Sequence, residues 1–388
     1  MFDFSSIPFF DNHSHRINVE NREITPLQLG VAFAHGWGPV NPEGRMPDSA
    51  EVENCDAEYA YHVMNMGVVK VLINRLAERF GCEADAGTVV SIRNGFTKED
   101  GYGYARSLYE EARIVGEVVD DPAVFGDPVL NCFPTRIYRL FQMDPFFRNL
   151  LRSAASYDEL KKIFTGTVRE RLAEGFIGIK CHVFELCAGP LRIVEDGEAA
   201  ACFDAARAGD RAAFETVYLA VFEQVLLLTQ ELNFTVHIHT GCTGNPNDLQ
   251  TSTDPYRITP ILHDPRFYAS RIVFLHGNPP DFGHDAWICH GYPNVWMDLG
   301  WTAPWVSMNM DAVLKEVLSM APHSKIMFGS GQHDHAEVSW LAAYIARSSL
   351  ERVMEEQVRY GLLSEKQAVE TAGLLLYKNA YRLYGITD

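Results

Sequence analysis

Eight β-rich runs, separated mostly by helical stretches, predict an α/β fold: a (β/α)8 TIM barrel with a helical insertion after its first strand. Two further observations agree. Histidines recur at the ends of several runs, where such a barrel gathers its strand ends at one mouth. The turn after the first run reads Asp11-Asn-His-Ser-His15, whereas the rival doubly wound sheet would favour a glycine-rich phosphate loop there.

The runs are Ile7–Asn12, Thr88–Ile92, Val129–Ile137, Phe176–His182, Phe234–His239, Arg271–His276, Asn294–Leu299 and Lys325–Ser330. Tyr157–Glu174 and Arg211–Leu232 read as helices between them, the second placing Phe214, Val217, Val221 and Val225 along one face at helical spacing. The stretch from about Asn18 to Asp85 is too long for a simple connection, is helical in pattern from Ala50 to Phe80, and contains the Gly/Pro/Trp-rich Gly36-Trp-Gly-Pro-Val-Asn-Pro. It is expected to cap the mouth, as an insertion (18–85) within a single barrel domain spanning 1–388, because no repeat or linker divides the chain.

Composition narrows the function. The 388 residues are 47% apolar, 12% aromatic and 22% charged, enough for a large core and incompatible with disorder. Acidic residues outnumber basic ones 51 to 33, and the resulting net charge of −18 repels a phosphate backbone or an anionic membrane surface. A small-molecule substrate is therefore expected, with no nucleic-acid or membrane partner. The densest apolar run, Leu219–Leu228, is interrupted by Glu223 and Gln224, so no membrane span is expected. The first residues lack the features of a secretory signal, and eight scattered cysteines form no Cys-x-x-Cys, which reads as reduced thiols in a cytoplasm. Homo-oligomers are common among such barrels, but no interface is legible here.

The chemistry is expected at the strand ends. Asp11, His13 and His15 alternate, so a period of two places them on one side. His237 and His239 repeat the spacing at the fifth run, and His276 closes the sixth. One such histidine alone would read as a core residue, but three strand ends in step point to a divalent metal, zinc above all. Lys180 ends the fourth run in an apolar context where an unpaired ammonium is costly. Arg136, with Arg16 and Arg93, offers a fork for a substrate carboxylate, although surface ion pairs account equally well for the latter two. Trp37, Trp301 and Trp305 lie in loop-like stretches where one or more would wall a pocket. Cys181 and Cys242 flank the site without any neighbour that would mark a nucleophile.

These stretches resemble the amidohydrolase superfamily, and within it the amidohydrolase-2 type, similar to the N-terminal domain of fungal and plant proteins that carry a glutamine-synthetase-like C-terminus; this chain would be the barrel alone. The resemblance rests on Phe-Asp-Asn-His-Ser-His at 10–15, Ile-Gly-Ile-Lys at 177–180, Val-His-Ile-His-Thr-Gly at 236–241, Val-Phe-Leu-His-Gly at 273–277, Tyr-Pro-Asn-Val-Trp-Met-Asp-Leu-Gly at 292–300 and Lys-Ile-Met-Phe-Gly-Ser at 325–330, in family order. It implies that His13 and His15 bind metal and that His239 and His276 complete or adjoin the site. It also implies a carboxylated, bridging Lys180 if the centre holds two ions rather than one. His237 falls where the family need not have a ligand; with Arg136 and Trp301 it is expected to bind substrate.

One position breaks the pattern. The family's eighth strand ends Phe-Gly-Ser-Asp, that aspartate touching the metal and accepting a proton from the attacking water, whereas this chain reads Phe328-Gly-Ser-Gly331. Glycine has no side chain for either task. An introduced substitution, a natural loss of activity, or a substitute base in 332–337, such as His333 or Asp334, would each account for it; on the first account Gly331→Asp would restore turnover. The expected function is a metal-dependent hydrolase of a small polar, carboxylate-bearing substrate, impaired at Gly331. The alternatives are a decarboxylase, a sugar-acid isomerase or an inactive binding module.

Overall fold

The computed structural model describes residues 2–34, 52, 55–123, 127–242 and 253–387. Eight parallel strands follow one another in chain order around a single sheet: β1 (Phe9–Ser14), β2 (Ile114–Asp120), β3 (Ile137–Gln142), β4 (Gly178–Cys181), β5 (Thr235–His239), β6 (Ile272–Leu275), β7 (Val295–Asp298) and β8 (Ile326–Met327). β8 is only two residues long, yet the chain beyond it closes the ring onto β1. Asn12 N–H donates to the Phe328 carbonyl at 3.0 Å, Gly331 N–H to His13 at 2.7 Å, and His15 N–H to Gln332 at 2.9 Å. The protein is thus a (β/α)8 TIM barrel, with helices covering its outer face.

Two expected strands are misplaced. Thr88–Ile92 lies in the helix Ala86–Glu111, whose first turn is fixed by the Asp85 carboxylate accepting the Thr88 N–H at 2.8 Å. Its β-branched residues favour a strand, but Val89 and Val90 are buried against the core from a capped helix, and packing overrides propensity. The true second strand, Ile-Val-Gly-Glu-Val-Val-Asp, carries a buried Glu117 that disguises it as polar. Val129–Ile137 likewise starts in a 3-10 turn, Pro128–Cys132, and continues as irregular chain, and β3 begins only at Ile137.

Between β1 and β2 run the helices Pro26–Gly30, Ala57–Met64, Gly67–Phe80 and Ala86–Glu111. Trp37 and the stretch 36–42, expected at the start of the cap, lie outside the described residues. The helix Arg211–Leu232 is long and apolar enough to cross a membrane, which the sequence reading did not anticipate, but 72% of its most apolar window is buried inside the protein. Its Glu223, the apparent interruption, is buried and accepts the Val194 N–H at 2.6 Å.

The two ends of the barrel differ in chemistry. At the N-terminal end, Phe10, Val118, Leu140, Val273, Leu275 and Met327 meet Ala380 and Leu383 of the closing helix Asn379–Tyr384, which plugs the barrel floor. Above this apolar layer Tyr384 donates to Asn12 Oδ1 at 2.6 Å, and Asn12 donates to Asp298 Oδ2 at 2.6 Å, starting a polar layer that rises to the mouth.

Candidate metal centre

Six imidazoles and one ammonium converge at the C-terminal ends of the strands. Ring centroids run His333–His15 at 3.8 Å, His15–His13 at 4.9 Å, His13–His276 at 5.0 Å, His276–His239 at 4.5 Å and His239–His182 at 5.5 Å. Lys180 Nζ ends the series, donating to His182 Nε2 at 2.9 Å. The expected His13, His15, Lys180, His239 and His276 are therefore brought together, and His182 and His333 join them.

Backbone carbonyls fix the tautomers, because a carbonyl only accepts. His15 Nδ1–H donates to the Asp120 carbonyl at 3.0 Å and His276 Nδ1–H to the Gly300 carbonyl at 2.9 Å, which places the proton of each ring on Nδ1. Asp298 holds His276 from below, accepting its N–H and that of Gly300, each at 2.9 Å. Burial, aided by neighbouring cationic groups, drives His276 down to about 3 and His13 and His239 well below the ordinary histidine value. All three are neutral near pH 7, the form in which imidazole binds a cation.

A carboxylate completes one group. Donor atoms of His13, His15 and Asp120 all lie within 4.8 Å of one another. Asp120 ends β2, is buried, and accepts the Gln142 amide at 2.7 Å. His13 Nδ1 is buried with no hydrogen-bond partner among the described residues, which is how a ring looks when it faces a cation rather than a protein group. This donor set fits a divalent ion of the zinc type.

Asp11 does not share this face. The β1 ladder is irregular between Asp11 and Ser14, which breaks the expected alternation. Asp11 Oδ1 accepts the Ser330 N–H at 2.8 Å and the His13 N–H at 3.3 Å, and burial, with the Asp298 charge nearby, raises its carboxyl to about 7.

Other expected residues are relocated as well. Arg136 precedes β3, exposed, with its guanidinium over the Tyr138 ring at 4.9 Å; it marks the strand's beginning, away from the mouth, so it cannot read a substrate there. Arg16 pairs bidentately with Asp121, both contacts at 2.8 Å, and Arg93 pairs with Glu337 at 2.5 Å. His237 is fully buried in the barrel interior, its Nε2 2.9 Å from Thr235 Oγ1 and 3.4 Å from the Tyr384 hydroxyl, which places it beneath the site. Burial pushes it down to about 3. Trp301 does reach the site, with its ring 6.2 Å from His276 and 5.0 Å from Trp305, whose Nε1 donates to the Phe33 carbonyl at 3.1 Å. Burial raises the Cys181 and Cys242 thiols, so neither is an activated nucleophile.

Gly331 is explained by its backbone. Its φ is +59°, and a Cβ there would lie 2.7–2.8 Å from Cβ, Cα and N of Trp301. A side chain meets rigid backbone as well as left-handed strain. Gly331→Asp is accordingly expected to lower stability by about 1–3 kcal/mol and to leave turnover unimproved, opposite to the sequence-based expectation. Urea unfolding and rate measurements on the same preparation check this; a steep gain in turnover at unchanged stability would show that the Trp301 backbone yields. Of the two proposed substitutes, His333 stacks on His15 with 13° between the planes, while Asp334 pairs its backbone with Arg16 and Asn18.

Asp120, His182 and their supports were missed for specific reasons. Misplacing β2 hid the strand end that carries Asp120. His182 was inside the fourth run, two residues past Lys180, and the same spacing that singled out His13/His15 would have found it.

A barrel whose strand ends carry imidazole and carboxylate donors defines a class of metal-dependent enzymes. The amidohydrolase family model matches residues 169–386, more than half of the sequence, and the chain belongs to that family. Protein fluG of Emericella nidulans is 29% identical over 157 residues, which is 40% of this chain and 18% of the fungal protein. The match therefore spans under a fifth of that relative's length. Among solved structures, a Lactobacillus casei protein assigned to the metal-dependent hydrolases superposes with a TM-score of 0.78 at 16% identity, covering 99% of this chain and 98% of its own. Uronate isomerase of Thermotoga maritima gives 0.72 at 14% identity, covering 98% and 95%. At these identities the likeness is one of fold.

Proposed function

We propose that this protein is a metal-dependent hydrolase of a small polar, carboxylate-bearing substrate, with its ion held by His13, His15 and Asp120. The observation that carries the reading is the clustering of those three donors within 4.8 Å at the barrel mouth. When bound, a divalent ion such as zinc lowers the pKa of its water and polarises a carbonyl. The protein's own groups do the rest. Asp120 supplies, from β2, the carboxylate that Gly331 lacks on the eighth strand, and stands beside the histidine pair to take a proton. His276, neutral and fixed by Gly300 and Asp298, presents Nε2 toward the same space. Lys180 contributes the cationic charge that a substrate carboxylate requires, in place of Arg136. Trp301 and Trp305 wall the His276 side and exclude water.

The fold shared with uronate isomerase over 98% of this chain supports a second reading, isomerisation of a sugar acid. Both are tested by elemental mass spectrometry on untagged protein purified without chelator, followed by lactones, amides and uronates assayed with and without chelator. At least one equivalent of divalent metal and chelator-sensitive hydrolysis are expected. Uronate conversion without uptake of water would replace hydrolysis by isomerisation. Failure to hold metal even after reconstitution would remove both readings and leave a binding module.

A further inference from the structure

Three cations gather at the N-terminal ends of the last three strands, on the face of the barrel opposite the mouth. Arg271 immediately precedes β6, Lys325 immediately precedes β8, and Trp296 lies in β7 between those two strands. With Ser324, and with Arg382 of the closing helix, they line a cavity of about 220 Å³. Among the described residues its lining includes no carboxylate.

The two inner cations are held by oxygen atoms that carry no full charge. Arg271 donates through Nη1 to Asn233 Oδ1 at 2.5 Å and through Nη2 to the Leu383 carbonyl. Lys325 Nζ donates to the carbonyls of Cys289 at 2.8 Å and Tyr292 at 2.6 Å. These acceptors stand in or just after the last turns of the helices Arg211–Leu232, Phe282–Gly291 and Asn379–Tyr384. A helix end offers at most about half an elementary charge, so the three full positive charges remain in excess. Burial lowers the pKa of both Arg271 and Lys325, and no carboxylate opposes the shift. Arg382 is exposed, with no hydrogen bond or ion pair among the described residues. The Trp296 ring, 5.9 Å from the Arg271 guanidinium and 6.0 Å from the Lys325 ammonium, attracts both and keeps two like charges at one place. In a chain with 51 acidic and 33 basic residues, such a group without a counter-charge is a built feature that an anion would complete.

We propose that this cavity binds the phosphate group of a small molecule, at a site separate from the metal centre. The donors still to be used are Arg271 Nε, one hydrogen of Lys325, the Ser324 hydroxyl and the Arg382 guanidinium, a set that suits the several oxygens of a tetrahedral oxyanion. The cavity is smaller than the roughly 300–1,000 Å³ of sites for drug-sized ligands, which restricts the occupant to inorganic phosphate or a phosphoester with a short body. The proposal does not depend on which reaction the mouth performs.

The test is calorimetric titration of the full-length protein, freed of metal by chelator so that phosphate has no ion to bind, with inorganic phosphate and with glycerol 3-phosphate at constant ionic strength. Wild type is expected to bind one equivalent and to unfold at a higher temperature in its presence. Tighter binding of the ester identifies a phosphoester as the source, and tighter binding of inorganic phosphate identifies the free anion. Arg382→Gln, an exposed change that leaves the packing intact, should weaken binding about tenfold, the loss of one charge-assisted hydrogen bond. Arg382→Gln/Lys325→Gln should abolish it, with circular dichroism establishing that the double variant is folded. Lys180→Met, at the mouth, should bind phosphate as wild type does. Absence of binding in wild type, undiminished binding in Arg382→Gln, or loss of binding in Lys180→Met overturns the proposal, the last by placing the anion at the mouth.

Discussion

Asp120→Asn is expected to strip the ion held with His13 and His15 and lower kcat/KM by roughly a hundredfold to ten-thousandfold, the usual cost of losing a positioned proton acceptor. Asparagine has the shape of aspartate, so the contact from Gln142 to Oδ1 persists, and the backbone carbonyl that fixes the His15 tautomer is untouched. What disappears is the negative charge beside the two imidazoles, the part of the group that balances a divalent ion. Asp121→Asn is the matched control, because the Asp121 carboxylate faces Arg16 instead of the histidines; it should keep both metal and turnover. Rates measured at saturating zinc, together with metal content, decide the matter. Full turnover and full occupancy in Asp120→Asn would exclude Asp120 as ligand and as base.

The largest effect on stability is expected from Arg93→Met, about 3–5 kcal/mol, the range for breaking one side of a buried ion pair. Arg93 Nε meets Glu337 Oε1 at 2.5 Å, with side-chain exposures of 5% and 1%, and Arg93 also donates to Thr97 Oγ1 at 3.2 Å. The pair joins the helix Ala86–Glu111 to the helix Ala336–Arg359, two neighbours on the outer layer of the barrel. Methionine preserves most of the packing volume and leaves Glu337 charged and unpaired in an environment that cannot solvate it. Arg93→Met/Glu337→Leu removes both charges and should recover most of the loss. Urea midpoints of the single and double variants measure the difference. A single variant within about 1 kcal/mol of wild type would mean that water or another cation reaches Glu337.

The placement of the histidines was legible because it depends on short-range rules. An alternation of two along a strand and the convergence of strand ends need no knowledge of distant neighbours; His13 and His15 follow the first, and His13, His15, His239 and His276 the second. The same rules failed where local preference and packing disagree. Thr88–Ile92 is rich in β-branched residues yet is helical, because Asp85 caps its start and the core takes up Val89 and Val90. With β2 displaced by this error, Asp120 was invisible as a strand end, and Arg136 was placed at the end of a strand that it precedes.

By itself the sequence determined the barrel, the histidine-lined mouth, the absence of a carboxylate at 331 and the acidic surface, since each follows from residue type, order and local period. Only the tertiary structure decided which carboxylates face the imidazoles, because that depends on the register of β2 against β1 and on the turn after β4. It also decided that Asp11 belongs to the buried layer with Glu117, that Lys180 is engaged by His182, and that Gly331 lies in a left-handed turn against the Trp301 backbone. Apart from the Lys180–His182 contact, those join residues far apart in the chain. Their distances are set by the closure of eight strands into a ring, which no local pattern encodes.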